Sequence, residues 1–295
     1  MINFGTWLRQ KAGCRVQKLA VDAGFSCPNR DGRLSTGGCT FCNNDAFNTS
    51  YCDRRKSITR QLEDGKRFFG RKQAGTKYLA YFQAFSNTYA PLPLLKAMYE
   101  EALAVDDVTG IVIGTRPDCV DKEKLDYIEQ LSRRVLVIME YGLESCNDET
   151  LRRVNRGHGF ACGKRAIEET HKRGIYTCAH LILGLPGEDK AEMLRQADVV
   201  SSLPIDILKL HQLQIVRGTA MAREYERHPF HTFTLEEYVD LLADYLPRLR
   251  DDMVMERFVS ETPPKLLMAP RWGVKPQEVT RLVIEKLASQ ESLCQ

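Results

Sequence analysis

The chain has 295 residues, of which 43% are hydrophobic and 27% charged, the proportions of an ordinary globular protein. No apolar run approaches the roughly 20 residues that span a bilayer, and Met1 to Lys11 do not resemble a signal peptide. We therefore expect a cytoplasmic protein with no membrane partner. The net charge of +3 says little by itself about partners. The segment from Arg54 to Lys77, however, contains nine Lys or Arg and only two acidic residues. Such a basic stretch suits a phosphate backbone, and it is equally typical of a solvated helix face.

Short β-rich runs alternate with amphipathic stretches, which predicts βαβ units around a parallel sheet. The predicted strands are Val16–Val21, Tyr78–Phe85, Gly110–Gly114, Val135–Tyr141, Tyr176–Leu183 and Asp206–Ile215. The predicted helices are Ile58–Phe69, Leu92–Val105, Lys122–Leu131, Lys164–Arg173, Lys190–Ser202 and Leu235–Leu246. Six such pairs predict an α/β fold, a partial (β/α)6 barrel over residues 1–260, with a short C-terminal extension over residues 261–295. An eight-stranded barrel is the competing count, and Val254–Val259 could add a strand.

Polar residues follow the predicted strands, at the end of the barrel where ligands bind in such folds. They are Cys27, Cys39 and Cys42, then Gln83 and Ser86, Thr115 to Asp118, Glu140 and Glu144, Gly184 to Glu188, and His211, Gln212 and Gln214. Glu140 stands within an apolar run and needs a partner if it is buried. This clustering on one rim predicts the functional site there.

Three cysteines lie in one glycine-containing loop over residues 27–42, Cys27-Pro-Asn-Arg-Asp-Gly-Arg-Leu-Ser-Thr-Gly-Gly-Cys39-Thr-Phe-Cys42. In a reducing compartment, clustered cysteines indicate metal or redox chemistry rather than disulfides. Three thiolates on a 4Fe–4S cluster leave one iron open, and the loop glycines let backbone amides approach the sulfides. A zinc site with Cys52 as fourth ligand is the alternative.

The sequence resembles the radical S-adenosylmethionine (SAM) superfamily, in the branch of the elongator catalytic subunit and oxygen-independent coproporphyrinogen dehydrogenase. It is most similar to a bacterial family of uncharacterised or tRNA-associated members. The motifs that carry the resemblance are Gly24-Phe-Ser-Cys27-Pro-Asn-Arg-Asp-Gly, Gly38-Cys-Thr-Phe-Cys42, Tyr81-Phe-Gln-Ala, Gly114-Thr-Arg-Pro-Asp-Cys119, Gly142-Leu-Glu-Ser, Asn155-Arg-Gly-His158, His180-Leu-Ile-Leu-Gly-Leu-Pro-Gly-Glu188 and Lys209-Leu-His211. The eleven residues between Cys27 and Cys39, where the superfamily usually has three, resemble the elongator branch.

The resemblance implies a 4Fe–4S cluster on Cys27, Cys39 and Cys42, with SAM chelating the open iron. One electron then cleaves SAM to a 5′-deoxyadenosyl radical that abstracts hydrogen from the substrate. The expected SAM-binding residues are Gln83, Ser86, Glu140, Glu144, Arg156 and His180. The Gly-Gly-Glu turn that usually holds the SAM amino group is replaced by Gln83-Ala84-Phe85, so the Gln83 amide or a backbone carbonyl is expected to accept that bond.

The resemblance further implies tRNA as a partner, with a wobble-uridine side chain as the target, and an electron donor such as flavodoxin or ferredoxin. Eight basic residues are expected to contact phosphates near the barrel mouth, namely Arg54, Arg55, Lys56, Arg60, Lys66, Arg67, Arg71 and Lys72. The alternatives are a radical SAM enzyme on a small molecule, such as a tetrapyrrole precursor, and a non-enzymatic zinc or iron–sulfur module.

Overall fold

The structure is a computed structural model that describes residues 2–46, 49–70 and 75–293. The strands are β1 (Ile2–Asn3), β2 (Val16–Val21), β3 (Lys77–Phe82), β4 (Val108–Thr115), β5 (Leu136–Glu144), β6 (Tyr176–Leu183), β7 (Ile207–Gln212), β8 (Ile215–Val216), β9 (Val254–Arg257) and β10 (Leu267–Ala269). The α-helices are α1 (Phe4–Ala12), α2 (Ile58–Phe68), α3 (Leu92–Leu103), α4 (Lys122–Ser132), α5 (Asp148–Arg153), α6 (Phe160–His171), α7 (Lys190–Ser202), α8 (Ala220–Arg227), α9 (Leu235–Tyr245) and α10 (Pro276–Leu293).

Eight strands form one parallel sheet in the order β1-β9-β7-β6-β5-β4-β3-β2. The sheet curls until Lys18 on β2 forms an ion pair with Glu256 on β9, but it stays open between β1 and β2. The predicted partial barrel is therefore confirmed. The additional strand expected near Val254 is β9, which lies in the sheet between β1 and β7.

Residues on each barrel strand alternate between two cores, because successive side chains of a strand point to opposite faces. Outward residues such as Leu19 and Phe82 pack under the surrounding helices. Inward residues such as Leu79 pack with Phe4 and Trp7 of α1, which covers the strand starts. The barrel is therefore filled at its lower end, and the polar residues of the strands are left to line its mouth.

The C-terminal part packs on this barrel. Strand β10 pairs with β8 in antiparallel fashion, and α10 inserts Val279 and Val283 into the same hydrophobic core as the barrel helices. The boundary at residue 260 stays a prediction. In the described part of the chain, no helix is long and apolar enough to cross a membrane.

Several element boundaries differ from the sequence-based expectation, and two of the differences have a local explanation. Helix α6 starts at Phe160 rather than Lys164, because Asp148 Oδ1 accepts a hydrogen bond from the Phe160 backbone amide at 2.6 Å. The last predicted strand is divided into β7 and β8, because the side chains of Gln212 and Gln214 bind the backbone of Ser260 between them.

Candidate active site

The cysteine loop is fixed by side chains that bind its backbone. Arg30 donates to the Cys42 carbonyl at 2.7 Å, and Asn29 donates to the Asn155 carbonyl at 2.5 Å. Gly38 has φ +74°, and a Cβ there would lie 2.9 Å from Nε of Arg30. A side chain at this position would therefore be strained and would displace the arginine that orders the loop.

A cavity of about 190 Å³ at the barrel mouth brings the predicted site residues together. Its lining includes all three loop cysteines and all six residues expected to bind SAM, namely Cys27, Cys39, Cys42, Gln83, Ser86, Glu140, Glu144, Arg156 and His180. It also includes Arg30, Arg116, His211 and Arg257, which were not among the expected ligands. Residues from six strands and their following loops thus converge on one pocket.

The three cysteines suit a cluster better than a single zinc ion. In the described residues, three metal-ligating side-chain atoms lie within 4.8 Å of one another only at Glu140, Cys178 and Glu256. The sulfurs of the cysteine loop are therefore spread more widely than the ligands of one tetrahedral zinc, whose Zn–S bonds are about 2.3 Å. A cluster with a separate iron for each thiolate matches this donor set.

Cys52, the proposed fourth zinc ligand, is not among the residues that line the pocket. Its Sγ lies 3.1 Å from the Ala20 carbonyl oxygen and 2.9 Å from Oγ1 of Thr49. The zinc alternative that required this thiol is therefore wrong.

Cationic side chains surround the cysteine sulfurs. Nη1 of Arg156 lies 3.5 Å from Sγ of Cys39, and Arg30 acts electrostatically on Cys42. Burial and the neighbouring Cys39 nevertheless raise the pKa of Cys42 to about 11. A bound metal replaces that proton, so metal binding and deprotonation are linked at this thiol.

Glu144, Arg156 and His180 form a buried polar group beside the cysteines. The carboxylate of Glu144 lies 3.5 Å from Nη2 of Arg156 and 3.2 Å from Nδ1 of His180. A bulge in β5 and a φ of +67° turn Glu144 into the pocket. Such a backbone costs about 1 to 3 kcal/mol and often marks a functional position. Gly142 makes the approach possible, because a Cβ there would lie 2.4 Å from Oε1 of Glu144.

Several buried polar atoms in this part of the pocket have no hydrogen-bond partner among the described residues. They include the donor Nε of Arg156, the hydroxyl Oγ of Ser86, and Nε2 of His180, whose Nδ1 faces Glu144. Arg156 keeps its charge despite burial, because Cys39 and Glu144 hold its pKa above the usual range. Unpaired buried donors are costly, and a polar ligand that accepts from them removes the cost. The carboxylate and hydroxyl groups of SAM are acceptors of this kind.

Glu140 occupies a different environment. Its Oε1 accepts a hydrogen bond from Tyr81 at 2.7 Å, and its Oε2 lies 2.5 Å from Nζ of Lys209. Lys209 also lies 3.3 Å from Glu256, which is paired with Lys18. Glu140 therefore has the buried partner that its apolar context required, and its role at the cofactor stays a prediction.

Gln83 and Ser86 follow β3 on the wall of the pocket. The chain turns sharply between them, with φ +63° at Phe85, and the Phe85 amide donates to Oδ1 of Asn44 at 3.3 Å. The turn that replaces Gly-Gly-Glu is thus held against the segment after Cys42. No described contact fixes the Gln83 amide, which leaves it free to bind a ligand.

The basic stretch is only partly available for a partner. Arg54, Arg55, Arg60 and Arg67 are exposed, but Lys66 is buried and binds Glu63 and the Asp106 carbonyl. The expectation that Lys66 contacts phosphates is therefore wrong. Arg71 and Lys72, which belonged to the same prediction, lie outside the described residues.

Comparison with known proteins agrees with this geometry. Residues 31–199 match the radical SAM superfamily model, and residues 205–289 match the radical SAM C-terminal domain model. The chain is 37% identical to the uncharacterised protein YtqA of Bacillus subtilis, over 97% of this chain and 88% of that protein. It is 23% identical to a tRNA uridine(34) acetyltransferase of Methanocaldococcus infernus, over 66% of this chain and 37% of that protein.

A solved structure shares the fold. The archaeal Elp3 of Methanocaldococcus infernus superimposes with a TM-score of 0.68 at 14% identity, covering 94% of this chain and 63% of that one. The expected cofactors, a 4Fe–4S cluster and SAM, are those of the superfamily. Sequence, fold and family model agree, and the chain belongs to the radical SAM superfamily of enzymes.

Proposed function

We propose that this radical SAM enzyme modifies tRNA, at the side chain of a wobble uridine. The observation that carries the proposal is a basic surface that begins beside the cysteine pocket and continues along α2, formed by the exposed Arg54, Arg55, Arg60 and Arg67 and the half-buried Lys56. A relative that matches two thirds of the chain is named for an activity on tRNA uridine 34. That name supports the choice of nucleic acid.

The pocket residues have distinct proposed roles. Cys27, Cys39 and Cys42 hold the cluster, while Arg156 and Glu144 bind the polar groups of SAM. When bound, the cluster supplies the electron that cleaves SAM to the radical that takes hydrogen from the substrate. The chain's own residues orient the cofactor and keep water out of the barrel. A flavodoxin or ferredoxin is the proposed source of the electron.

The basic surface carries excess positive charge. Asp64 lies within 4 Å of three cations, at 2.8 Å from Lys56, 3.3 Å from Arg60 and 2.6 Å from Arg67. Asp53 pairs with Arg55, and Arg54 forms no ion pair with a carboxylate of the described residues. Five cations thus share two carboxylates, and the surplus is available for phosphates.

This surface lies near the pocket. A Cβ on Gly24 would lie 3.7 Å from Cβ of Arg54, and Gly24 comes three residues before Cys27. The side chain of Gln61 on α2 binds the backbone of Asp22 directly after β2. An RNA strand bound at the start of α2 would therefore run along the rim where the cysteine loop begins.

Charge reversal tests the proposal. The variant Arg54→Glu/Arg55→Glu/Arg60→Glu should bind tRNA at least tenfold more weakly at low salt. Its slope of log affinity against log salt should be smaller by about 3, since each lost phosphate contact removes roughly one unit. Equal affinity of this variant and wild type at two salt concentrations would overturn the assignment.

A matched control carries three charge reversals at the end of the barrel opposite the pocket. Arg133→Glu/Arg134→Glu/Lys172→Glu alters exposed residues directly after α4 and α6, where the helices end below the sheet. This variant should bind tRNA as wild type does. Mass spectrometry of nucleosides from a strain without the chain gives the second test. An unchanged wobble-uridine profile there would favour a small-molecule substrate.

A further inference from the structure

One wall of the pocket, formed by β7 and β9, carries a cation that differs from the others. Arg116 is paired with Asp118 at 2.8 Å, Arg156 with Glu144, and Arg30 with the Cys42 carbonyl. The side chain of Arg257 makes no hydrogen bond or ion pair with the described residues, and its Nε is buried. A half-buried guanidinium without a counter-charge indicates a missing anion.

The charges beneath Arg257 do not supply that anion. Lys18 and Lys209 are matched by Glu140 and Glu256 in the barrel interior. These four charges cancel, since Glu256 pairs with Lys18 and Lys209 and Glu140 pairs with Lys209. Among the residues that the structure describes, Arg257 therefore remains as a positive charge without an ion pair, and it lines the cavity.

A neutral donor lies next to this charge. His211 is 5% exposed, and its Nε2 has no hydrogen-bond partner in the described chain. Burial first, and the nearby Arg257 second, hold its pKa well below the usual value, so the ring is neutral. His180 stands against it with ring centroids 3.9 Å apart, and Nδ1 of His180 is directed at Glu144, at 3.2 Å.

The strand geometry puts these groups on one face. Lys209 is the register partner of Arg257, and His211 follows two residues later on β7, on the same side of the sheet. Three arginines interact electrostatically with the cysteine thiols, namely Arg30, Arg116 and Arg156, whereas Arg257 interacts electrostatically with Tyr81 and His211. Arg257 is thus separate from the arginines at the cysteines.

We propose that His211 and Arg257 form an oxyanion subsite that holds a carboxylate or phosphate group of the substrate. Arg257 supplies the positive counter-charge, and the neutral ring of His211 donates a hydrogen bond to the anionic group. This proposal rests on the proposed function in one respect, that the substrate and the cofactor meet in this pocket. It does not require the substrate to be RNA. It restricts substrates to those that carry an anionic group near the hydrogen to be removed.

The test uses the holoenzyme with cluster and SAM bound, and fluoroacetate as a carboxylate probe. The ¹⁹F line of fluoroacetate should broaden with wild type, and fluoroacetamide, which has no charge, should not. Arg257→Gln should remove the broadening, Arg257→Lys should keep part of it, and His211→Gln should reduce it. Arg248→Gln, a surface arginine paired with Asp198, is the matched control and should behave as wild type.

Competition separates the two sources of the oxyanion. Displacement of fluoroacetate by less phosphate than acetate assigns the subsite to a phosphate, and the reverse order assigns it to a carboxylate. Because no RNA is present, this experiment can succeed where the tRNA test fails. No broadening with wild type, or equal broadening with an iron-loaded Arg257→Gln variant, would overturn the proposal.

Discussion

Replacement of Lys209 by Met should destabilise the protein strongly. The Lys209 side chain is 1% exposed and lies 2.5 Å from Glu140 and 3.3 Å from Glu256. Although burial opposes it, these carboxylates hold the pKa of Lys209 well above its usual value, and the pKa of Glu140 is lowered. Both groups are therefore charged in the folded protein.

The variant leaves two buried carboxylates with one remaining ammonium, that of Lys18. Removal of one partner from a buried ion pair costs about 3 to 5 kcal/mol. At roughly 2 to 3 °C per kcal/mol for a chain of this size, the melting temperature should fall by about 6 to 15 °C. The matched control is Lys122→Met, whose side chain is 83% exposed in its pair with Asp126. It should lose less than about 1 kcal/mol.

Differential scanning calorimetry of the three proteins at one pH and scan rate measures these shifts. The double variant Lys209→Met/Glu140→Met restores charge balance, because Lys18 and Glu256 remain paired. It should regain at least half of the lost stability. A Lys209→Met protein that melts within 2 °C of the Lys122→Met control, or a double variant less stable than Lys209→Met, would refute the reasoning.

Two further predictions concern the cofactor pocket. Arg156→Ala and Glu144→Ala should each weaken SAM binding tenfold or more at unchanged iron content, since a charge-assisted hydrogen bond contributes about 1.5 to 3 kcal/mol. Equilibrium dialysis of the loaded variants checks this, and wild-type affinity in both would remove them from the site. Iron loading of the metal-free protein should rise from pH 7 to 9, because the pKa of Cys42 is about 11 and iron must displace its proton. Absorbance during reconstitution measures the profile, and a flat or falling one would contradict it.

The sequence predicts the barrel strands and the converging rim well, because both depend on local patterns. Hydrophobic runs locate the strands, and the parallel arrangement brings their C-terminal ends together. The sequence does not predict which side chains from distant parts of the chain form ion pairs and hydrogen bonds. Nothing near Glu140 identifies Lys209, 69 residues away, as its partner. The local sequence does not single out Arg257 either, because what distinguishes this arginine is that no carboxylate of the described residues pairs with it in the fold. The sequence also gives no sign that Lys66 is buried against the Asp106 carbonyl.

The central claim is that the three loop cysteines hold a 4Fe–4S cluster in which one iron has no protein ligand and is open to SAM. The direct measurement is iron content and 5′-deoxyadenosine release, with SAM and dithionite under anaerobic conditions, for wild type, Cys39→Ala and Cys52→Ala. Wild type and Cys52→Ala should each bind roughly four irons and release 5′-deoxyadenosine, and Cys39→Ala should do neither. Loss of iron from Cys52→Ala as complete as from Cys39→Ala, or no 5′-deoxyadenosine from loaded wild type, would contradict the account.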